Sequence, residues 1–499
     1  MGFINCLEDE MNVSFTENGM KGYATTKDVL VDFNFSLPNL RHTSDDVLKA
    51  NVEQLINDPK YNKETLYRYM FFLRDVRGGL GERRIFKEML KALANKEPEK
   101  VKHFLPYVVE VGRWDDLFVL METPLKENLL DLVSEQLNED WGAMKDGESI
   151  SLLAKWMPSI NSGKKARKLA KELIEYFGMT NSEYRKALAD MRKHLDIVEK
   201  HISDGNYDTI NYEAVPSKAN KRYADLFMRK DGQRRREYFD SLSKGEAKIN
   251  ASTLYPHEVI AMERKGQDSR LVQGLWENLK DYEGVENTIV VADTSGSMYW
   301  GNDSIMPIDC SVGLALYFAQ RAKGEFKGKV ITFSTTPTYV DVSRFKTIHG
   351  AYTWMVDKMD WGGSTDVEAV FKMVLNTAVK NKLKQEDIPN ILIVSDMEWD
   401  CCTYGTGSFK SIAKLYESHG YKLPKLIFWN VASRTGTIPV IENENGLVLV
   451  SGYSPAAIKA ATSNETYDPL KAIYDCIYVE RYNFVREVLE ANCEDSCAG

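Results

Sequence analysis

Asp293, Ser295 and Ser297 alternate along one short stretch, Asp293-Thr294-Ser295-Gly296-Ser297, directly after the apolar run Ile289-Val290-Val291-Ala292. On a tight loop that spacing turns one carboxylate and two hydroxyls to the same side. An all-oxygen set of low charge suits a hard divalent cation, Mg2+ or another of its kind. Short Asp/Ser loops are also common turns, so the spacing alone is a weak signal. Its place in the chain adds weight. The β-branched run reads as a buried parallel strand, and open α/β sheets bind ligands beyond the carboxyl ends of such strands.

Two later stretches end in oxygen-bearing side chains. Trp361-Gly362-Gly363-Ser364-Thr365-Asp366 reads as a glycine turn opening a helix, and Ile391-Leu392-Ile393-Val394-Ser395-Asp396 as another apolar strand ending in Asp. Together with the Asp-x-Ser-x-Ser loop they resemble the metal-ion-dependent adhesion site (MIDAS) of von Willebrand factor A domains. That resemblance implies Ser295, Ser297 and Thr365 as direct ligands, with Asp293 and Asp396 holding coordinated waters. The remaining position is left to water or to an acidic side chain of a protein partner.

A chain of 499 residues is too long for one core, so more than one domain is expected. Composition fits a globular protein, with 43% hydrophobic and 27% charged residues. No apolar run approaches the roughly 18–20 residues of a membrane span, and Glu8, Asp9 and Glu10 stand where a secretory leader would be basic and then apolar. The simplest expectation is a cytoplasmic protein without a membrane role. Seven scattered cysteines argue against a disulfide framework, and the adjacent pair Cys401-Cys402 has no His beside it to suggest redox chemistry.

The elements that must position the site follow from periodicity. Leu48, Val52, Leu55 and Ile56, then Leu66, Met70 and Leu73, then Phe86, Met89, Leu90 and Leu93 form helical stripes separated by turns. Thr123 with Pro124 predicts the start of another helix carrying Leu125, Leu129, Leu132 and Val133. Near Asp281 the texture changes to alternating strands and helices: strands at Gly328–Phe333, Thr338–Val342, Leu426–Trp429 and Gly446–Val450, and a final helix from Pro469. The expected architecture is a lead-in over 1–43, a HEAT-like α-helical domain over 44–280 and a doubly wound α/β domain over 281–499.

Three stretches in the helical half carry a second resemblance: Arg74-Asp75-Val76-Arg77-Gly78-Gly79-Leu80-Gly81-Glu82-Arg83-Arg84, Val111-Gly112-Arg113-Trp114-Asp115-Asp116-Leu117 and Leu153-Ala154-Lys155-Trp156-Met157-Pro158-Ser159. With the A-type stretches they resemble a Ro-like family, laid out like the Ro RNA-binding proteins with a TROVE-like helical module before a von Willebrand factor A domain. The resemblance implies a ribonucleoprotein component that takes structured or misfolded non-coding RNA. The helical half is short for the ring that Ro proteins form. Gly78-Gly79 lacks the Gly-Lys-Ser/Thr ending of a phosphate-cradling loop and follows a helix, so it reads as a turn.

Net charge is −9, yet the charge is unevenly spread. From Lys155 to Lys248 there are 21 Lys and Arg against 14 Asp and Glu, a balance of +7 that leaves −16 on the rest. The candidate RNA-contacting cations are Lys155, Lys164, Lys165, Arg167, Lys168, Arg185, Lys186, Arg192, Lys218, Lys221 and Arg222. Interleaved with Trp156 and Tyr side chains, they could neutralise phosphates and stack on unpaired bases. The plainer alternative is a solvated helix face.

Two further classes compete. One is a metal-dependent adhesion or scaffold module without RNA. The other is an enzyme, for which the residues argue poorly: an aspartyl phosphotransferase needs a second Asp where Ser295 stands, and His257 beside Glu258 reads as structural.

Overall fold

The structure, a computed structural model, describes residues 11–19, 21–281, 287–299, 305–333, 337–357, 367–398, 409–433, 436–438, 447–452, 454 and 468–497. It divides into two compact units, Met1–Asp58 with Phe239–Val479, and Pro59–Tyr238 with Glu480–Gly499.

The first unit is built on a sheet. A short antiparallel hairpin, β1 (Val13–Phe15) and β2 (Lys21–Tyr23), precedes β3 (Thr288–Asp293), β4 (Lys329–Phe333), β5 (Thr338–Asp341), β6 (Asn390–Ser395), β7 (Leu426–Asn430) and β8 (Leu447–Ser451). The last six form one sheet in the order β5-β4-β3-β6-β7-β8, parallel except for the edge strand β5. Alternation along β3 sends Ile289 and Val291 into a core with Val370, Phe371, Ile412 and Tyr416, from the helices Val367–Asn381 and Phe409–Ser418. On the opposite face lies the helix Pro307–Arg321, whose residues from Ile308 to Ala319 are all buried. Its Phe318 meets Trp429 of β7 at 5.3 Å, and Ser311 Oγ donates to the Val394 carbonyl at 3.1 Å.

That helix is covered on its outer side as well. The helix Pro256–Arg264 crosses it at Gly313, where a Cβ would stand 2.9 Å from the His257 amide nitrogen, so only glycine allows the approach. Arg264 clamps the buried Asp309 with two hydrogen bonds of 2.8 and 2.9 Å. The helical domain expected over 44–280 includes Pro256–Arg264 and Ser269–Glu277. They pack on the sheet's helices instead, and this unit reaches back to Phe239 rather than starting at 281.

The leading segment belongs here too. The helix Val29–Leu40 puts Phe35 into the sheet's core, and the Phe35 carbonyl accepts from Asn430 Nδ2 at 2.9 Å. The β1–β2 hairpin bridges Tyr23 to Ile438 through a reciprocal pair of backbone bonds, both 2.8 Å.

The second unit is helical. Asn62 caps the helix Lys63–Arg74, accepting from the Thr65 amide at 2.8 Å, and every residue from Thr65 to Arg74 is buried. Tyr67 stacks on Phe104 at 4.5 Å, and Phe71 meets Phe484 edge-on at 4.9 Å. Phe484 opens the last helix, Phe484–Cys497, which therefore completes this unit and not the sheet. The turn after Arg74 closes at Gly79, where a Cβ would fall 2.0 Å from the Phe72 carbonyl oxygen. The helix expected to start at Pro124 spans Lys126–Lys145; Thr123 sits in the preceding turn, its Oγ1 accepting from the Leu125 amide at 3.3 Å.

Candidate functional site

Asp293 ends β3, fully buried, and chain order makes Ser295 its first partner: the Ser295 amide and hydroxyl donate to Oδ1 at 2.9 and 2.6 Å. Ser295 Oγ lies 3.0 Å from Ser297 Oγ, so one carboxylate and two hydroxyls form a connected set at the strand's carboxyl end. The neighbouring parallel strand β6 supplies the rest. Ser395 Oγ donates to Asp293 Oδ2 at 2.5 Å, and the buried Asp396 follows at once. Burial first, and the charge of Asp396 second, push the Asp293 carboxyl well above the usual carboxylate range, against the pull of the serine donors.

The loop after β6 is held tightly. Met397 takes a left-handed φ of 62°, and the Glu398 amide turns back to Asp396 Oδ1 at 3.2 Å. The buried Glu398 carboxylate accepts from the Glu17 amide at 2.8 Å, which ties the amino-terminal hairpin to this end of the sheet.

Of the five nominated metal residues, the structure gathers Asp293, Ser295, Ser297 and Asp396 at the ends of two adjacent strands. Thr365 lies outside the described residues, as do Trp361-Gly362-Gly363 and Cys401-Cys402. Among the described residues no group of three or more His, Cys, Asp or Glu side chains is placed to hold a metal. The set here is instead two carboxylates and two hydroxyls, oxygen donors of the type a hard cation takes. Sequence reasoning missed Ser395 and Glu398, although Ser395 stands in the expected strand, one residue ahead of Asp396.

The nominated cations divide into surface and structural residues. Lys164, Lys165, Arg167 and Lys168 are exposed on the helix Lys164–Tyr176, whose Ala170, Leu173 and Ile174 face inward. Lys91 Nζ, on the helix Arg83–Lys96, donates to Glu122 at 2.7 Å and holds it below its ordinary range, with the charges of Lys165 and Lys168 adding to the effect. Arg185 and Lys186 are exposed on Asn181–His194, and Lys218 and Arg222 on Ser217–Arg222, with Lys221 half-buried.

Two others serve the fold. Arg192 donates to the Ala154 and Met157 carbonyls, both at 2.8 Å, and to Ser159 Oγ at 3.1 Å, so its guanidinium is occupied inside the unit. Lys155 pairs with Glu199 at 3.3 Å. The aromatic partners shift likewise. Tyr184 is core, with its hydroxyl on the Pro158 carbonyl at 2.8 Å, and Arg113 covers the Trp156 ring at 4.1 Å. No helix among the described residues is long and apolar enough to cross a membrane.

Comparisons with known proteins match this division only loosely. The family described as "Domain of unknown function (DUF2828)" matches residues 162–288, and that described as "Domain of unknown function (DUF7788)" matches residues 287–480. An uncharacterized protein of Acanthamoeba polyphaga mimivirus is 27% identical over 507 residues, covering 93% of this chain and 86% of the relative. Among solved structures, the Ro (RSR) protein of Deinococcus radiodurans aligns over 90% of this chain and 95% of its own at 13% identity. Its TM-score of 0.47 is too low for the likeness to carry an argument. The chain is thus similar along most of its length to a viral protein, and in two adjoining segments to two domain families whose descriptions state no function.

Proposed function

We propose that this is a two-part binding protein. The sheet unit holds a divalent cation, Mg2+ by preference, through Ser295, Ser297 and Thr365 directly and through waters on Asp293 and Asp396. An acidic side chain of a protein partner docks on the cation's open position. The helical unit binds structured or misfolded non-coding RNA on the face carrying Lys164, Lys165, Arg167 and Lys168, as its resemblance to Ro-like proteins suggests.

One observation carries the metal reading: Asp293 Oδ1 lies 2.6 Å from Ser295 Oγ, which lies 3.0 Å from Ser297 Oγ, beside a second buried carboxylate. Two neighbouring carboxylates raise each other's cost of ionisation, and a divalent ion supplies the opposing charge. The RNA reading rests on the exposed cations of the Lys164–Tyr176 helix.

The withdrawal of Arg192 and Lys155 into internal contacts favours a second reading, a metal-dependent adhesion or scaffold module with no RNA. Recovery of partners from cell extract with and without EDTA, each with and without nuclease, separates the two. RNA that disappears when Lys164, Lys165, Arg167 and Lys168 are all changed to Gln supports the first. A protein partner released by EDTA, with no RNA at any step, supports the second.

A further inference from the structure

We propose that the helical unit binds a phosphate group at a separate cluster formed by Arg83, Lys87 and Arg113. This goes beyond the RNA face on the Lys164–Tyr176 helix and stands whether or not that face binds RNA.

The cluster is assembled from the stretches at 74–84 and 111–117 and from Lys87, one turn beyond Arg83 on the same helix, with Trp156 beneath Arg113. Asp116 is wholly buried and shared by three cations: Arg74 Nε at 2.6 Å, Arg83 Nε at 2.7 Å and Lys87 Nζ at 3.5 Å. Asp115 is shared as well, between Arg83 and Arg113, the latter with its Nε 3.0 Å away. That Arg113 nitrogen is shielded from solvent yet makes no directed hydrogen bond among the described residues. Four cations therefore divide two carboxylates.

Arg74 is spent on the interior, its side chain 5% exposed. The other three open outward, with side-chain exposures of 40% for Arg83, 28% for Lys87 and 30% for Arg113. Burial first, with the charge of Arg83 adding to it, lowers both Lys87 and Arg113 below their ordinary values, while at Arg83 burial is outweighed by Asp116 and Asp115, which raise it. Arg113 is held over Trp156 at 4.1 Å, which restrains its guanidinium without neutralising it.

An excess of partly buried positive charge is costly until an anion joins it. Lys87 Nζ also donates to the Asp115 carbonyl at 2.9 Å, yet with Arg74 turned inward three cations still face outward over two carboxylates, and two guanidinium forks with one ammonium match the several oxygens of a phosphate. The phosphate can be free in solution or part of a nucleic acid.

Equilibrium dialysis of the full chain against labelled inorganic phosphate, at constant ionic strength, tests the site. Wild type is expected to retain about one phosphate per chain. Lys87→Gln and Arg113→Gln should each bind about tenfold or more weakly, a normal loss for one charge-assisted hydrogen bond, while Lys49→Gln on the other unit binds as wild type. No retention by wild type, or retention by both variants equal to that of wild type, overturns the proposal.

Folding supplies a second measurement. Without phosphate, Lys87→Gln removes one of several like charges and should melt at or above the wild-type temperature. A lower melting temperature marks the cluster as a structural knot and overturns the site. RNA oligonucleotides of one sequence, with a 5′-phosphate or a 5′-hydroxyl, then distinguish the sources. A preference for the phosphorylated end that Lys87→Gln removes assigns a nucleic-acid terminus, and equal binding of both beside phosphate retention assigns the free ion. RNA binding that needs Lys164 and its neighbours, with no phosphate retained, overturns this site alone.

Discussion

In the sheet unit the buried Asp293 and Asp396 stand at the ends of adjacent strands, and the described donors to Asp293 are neutral hydroxyls and an amide. In the helical unit the buried carboxylate of Asp116 is contacted by Arg74, Arg83 and Lys87. The physical consequence is opposite in sign. Asp293 is pushed above the usual carboxylate range, whereas at Asp116 burial is outweighed by the surrounding cations and the group is held below it. A site short of positive charge favours binding a cation, and one with too much favours an anion. The contrast teaches that a buried ionisable cluster is read by its balance of charge before its residue types.

The largest effect is expected where the balance is most easily destroyed. Asp116→Asn leaves the nearly inaccessible Arg74 without its carboxylate, and should cost about 3–5 kcal/mol by urea denaturation, the range for breaking a buried pair. A cost under about 1 kcal/mol would show that Arg74 relaxes to solvent and that its pair with Asp116 does not hold the interior.

Next come two close backbone approaches, one from each unit. Gly79→Ala and Gly313→Ala both force a methyl into main-chain atoms, at 2.0 and 2.9 Å, and each should cost about 1–3 kcal/mol, with Gly79 the worse. The reverse order would mean that the turn after Arg74 yields more readily than the crossing of the two helices.

Acid sharpens the comparison further. Asp75 is depressed like Asp116: burial would raise it, but Arg481, at 3.0 Å, and the Arg77 amide, at 2.8 Å, prevail. A group depressed in the folded state contributes stability above its unfolded value of about 3.9, and that contribution is lost as pH falls below it. Circular dichroism during acid titration should therefore show loss of helix below about pH 4, and Arg481→Gln should move that transition to higher pH. An unmoved transition would remove the Asp75 pair from the explanation.

The smallest effect on stability belongs to the exposed helix. Changing Lys164, Lys165, Arg167 and Lys168 to Gln should alter folding by no more than about 0.5 kcal/mol, since each is a surface position. Their effect belongs to binding. Each phosphate that a missing cation leaves unneutralised lowers the salt dependence of RNA affinity by about one unit of slope, and an unchanged slope excludes the patch.

Much of the fold is legible in the residues. β3 stands out as a β-branched run and the Asp293 loop as its polar end, because a strand buried on both faces leaves no other pattern. The edge strand β5 and the strands β6, β7 and β8 lie within a residue or two of their expected bounds. Periodicity, however, tells which face of an element is buried and never against what. A boundary set at the change of texture near Asp281 therefore leaves Pro256–Arg264 in the helical domain, though Gly313 lets it pack on a helix of the sheet. Hence also the lead-in shows no partner in sequence, since Tyr23 meets Ile438 across more than 400 positions.

The cationic candidates show a different limit. Arg192 and Lys164 are equally basic in sequence, but only the structure separates a guanidinium tied to the Ala154 and Met157 carbonyls from an ammonium in solvent. The acid pair Asp115-Asp116 carries a signal that charge counting passes over: adjacent carboxylates within a largely apolar helical stretch call for cations from elsewhere, and Arg74, Arg83 and Arg113 answer.

The most direct measurement is thermal unfolding of the full chain across a Mg2+ titration, with Asp293→Ala run in parallel. Wild type should gain stability with the logarithm of Mg2+ concentration, about 2.7 kcal/mol at a hundred times the dissociation constant, and Asp293→Ala should gain none. A wild-type midpoint that does not move with Mg2+, or an equal gain in the variant, would contradict a cation site at the end of β3.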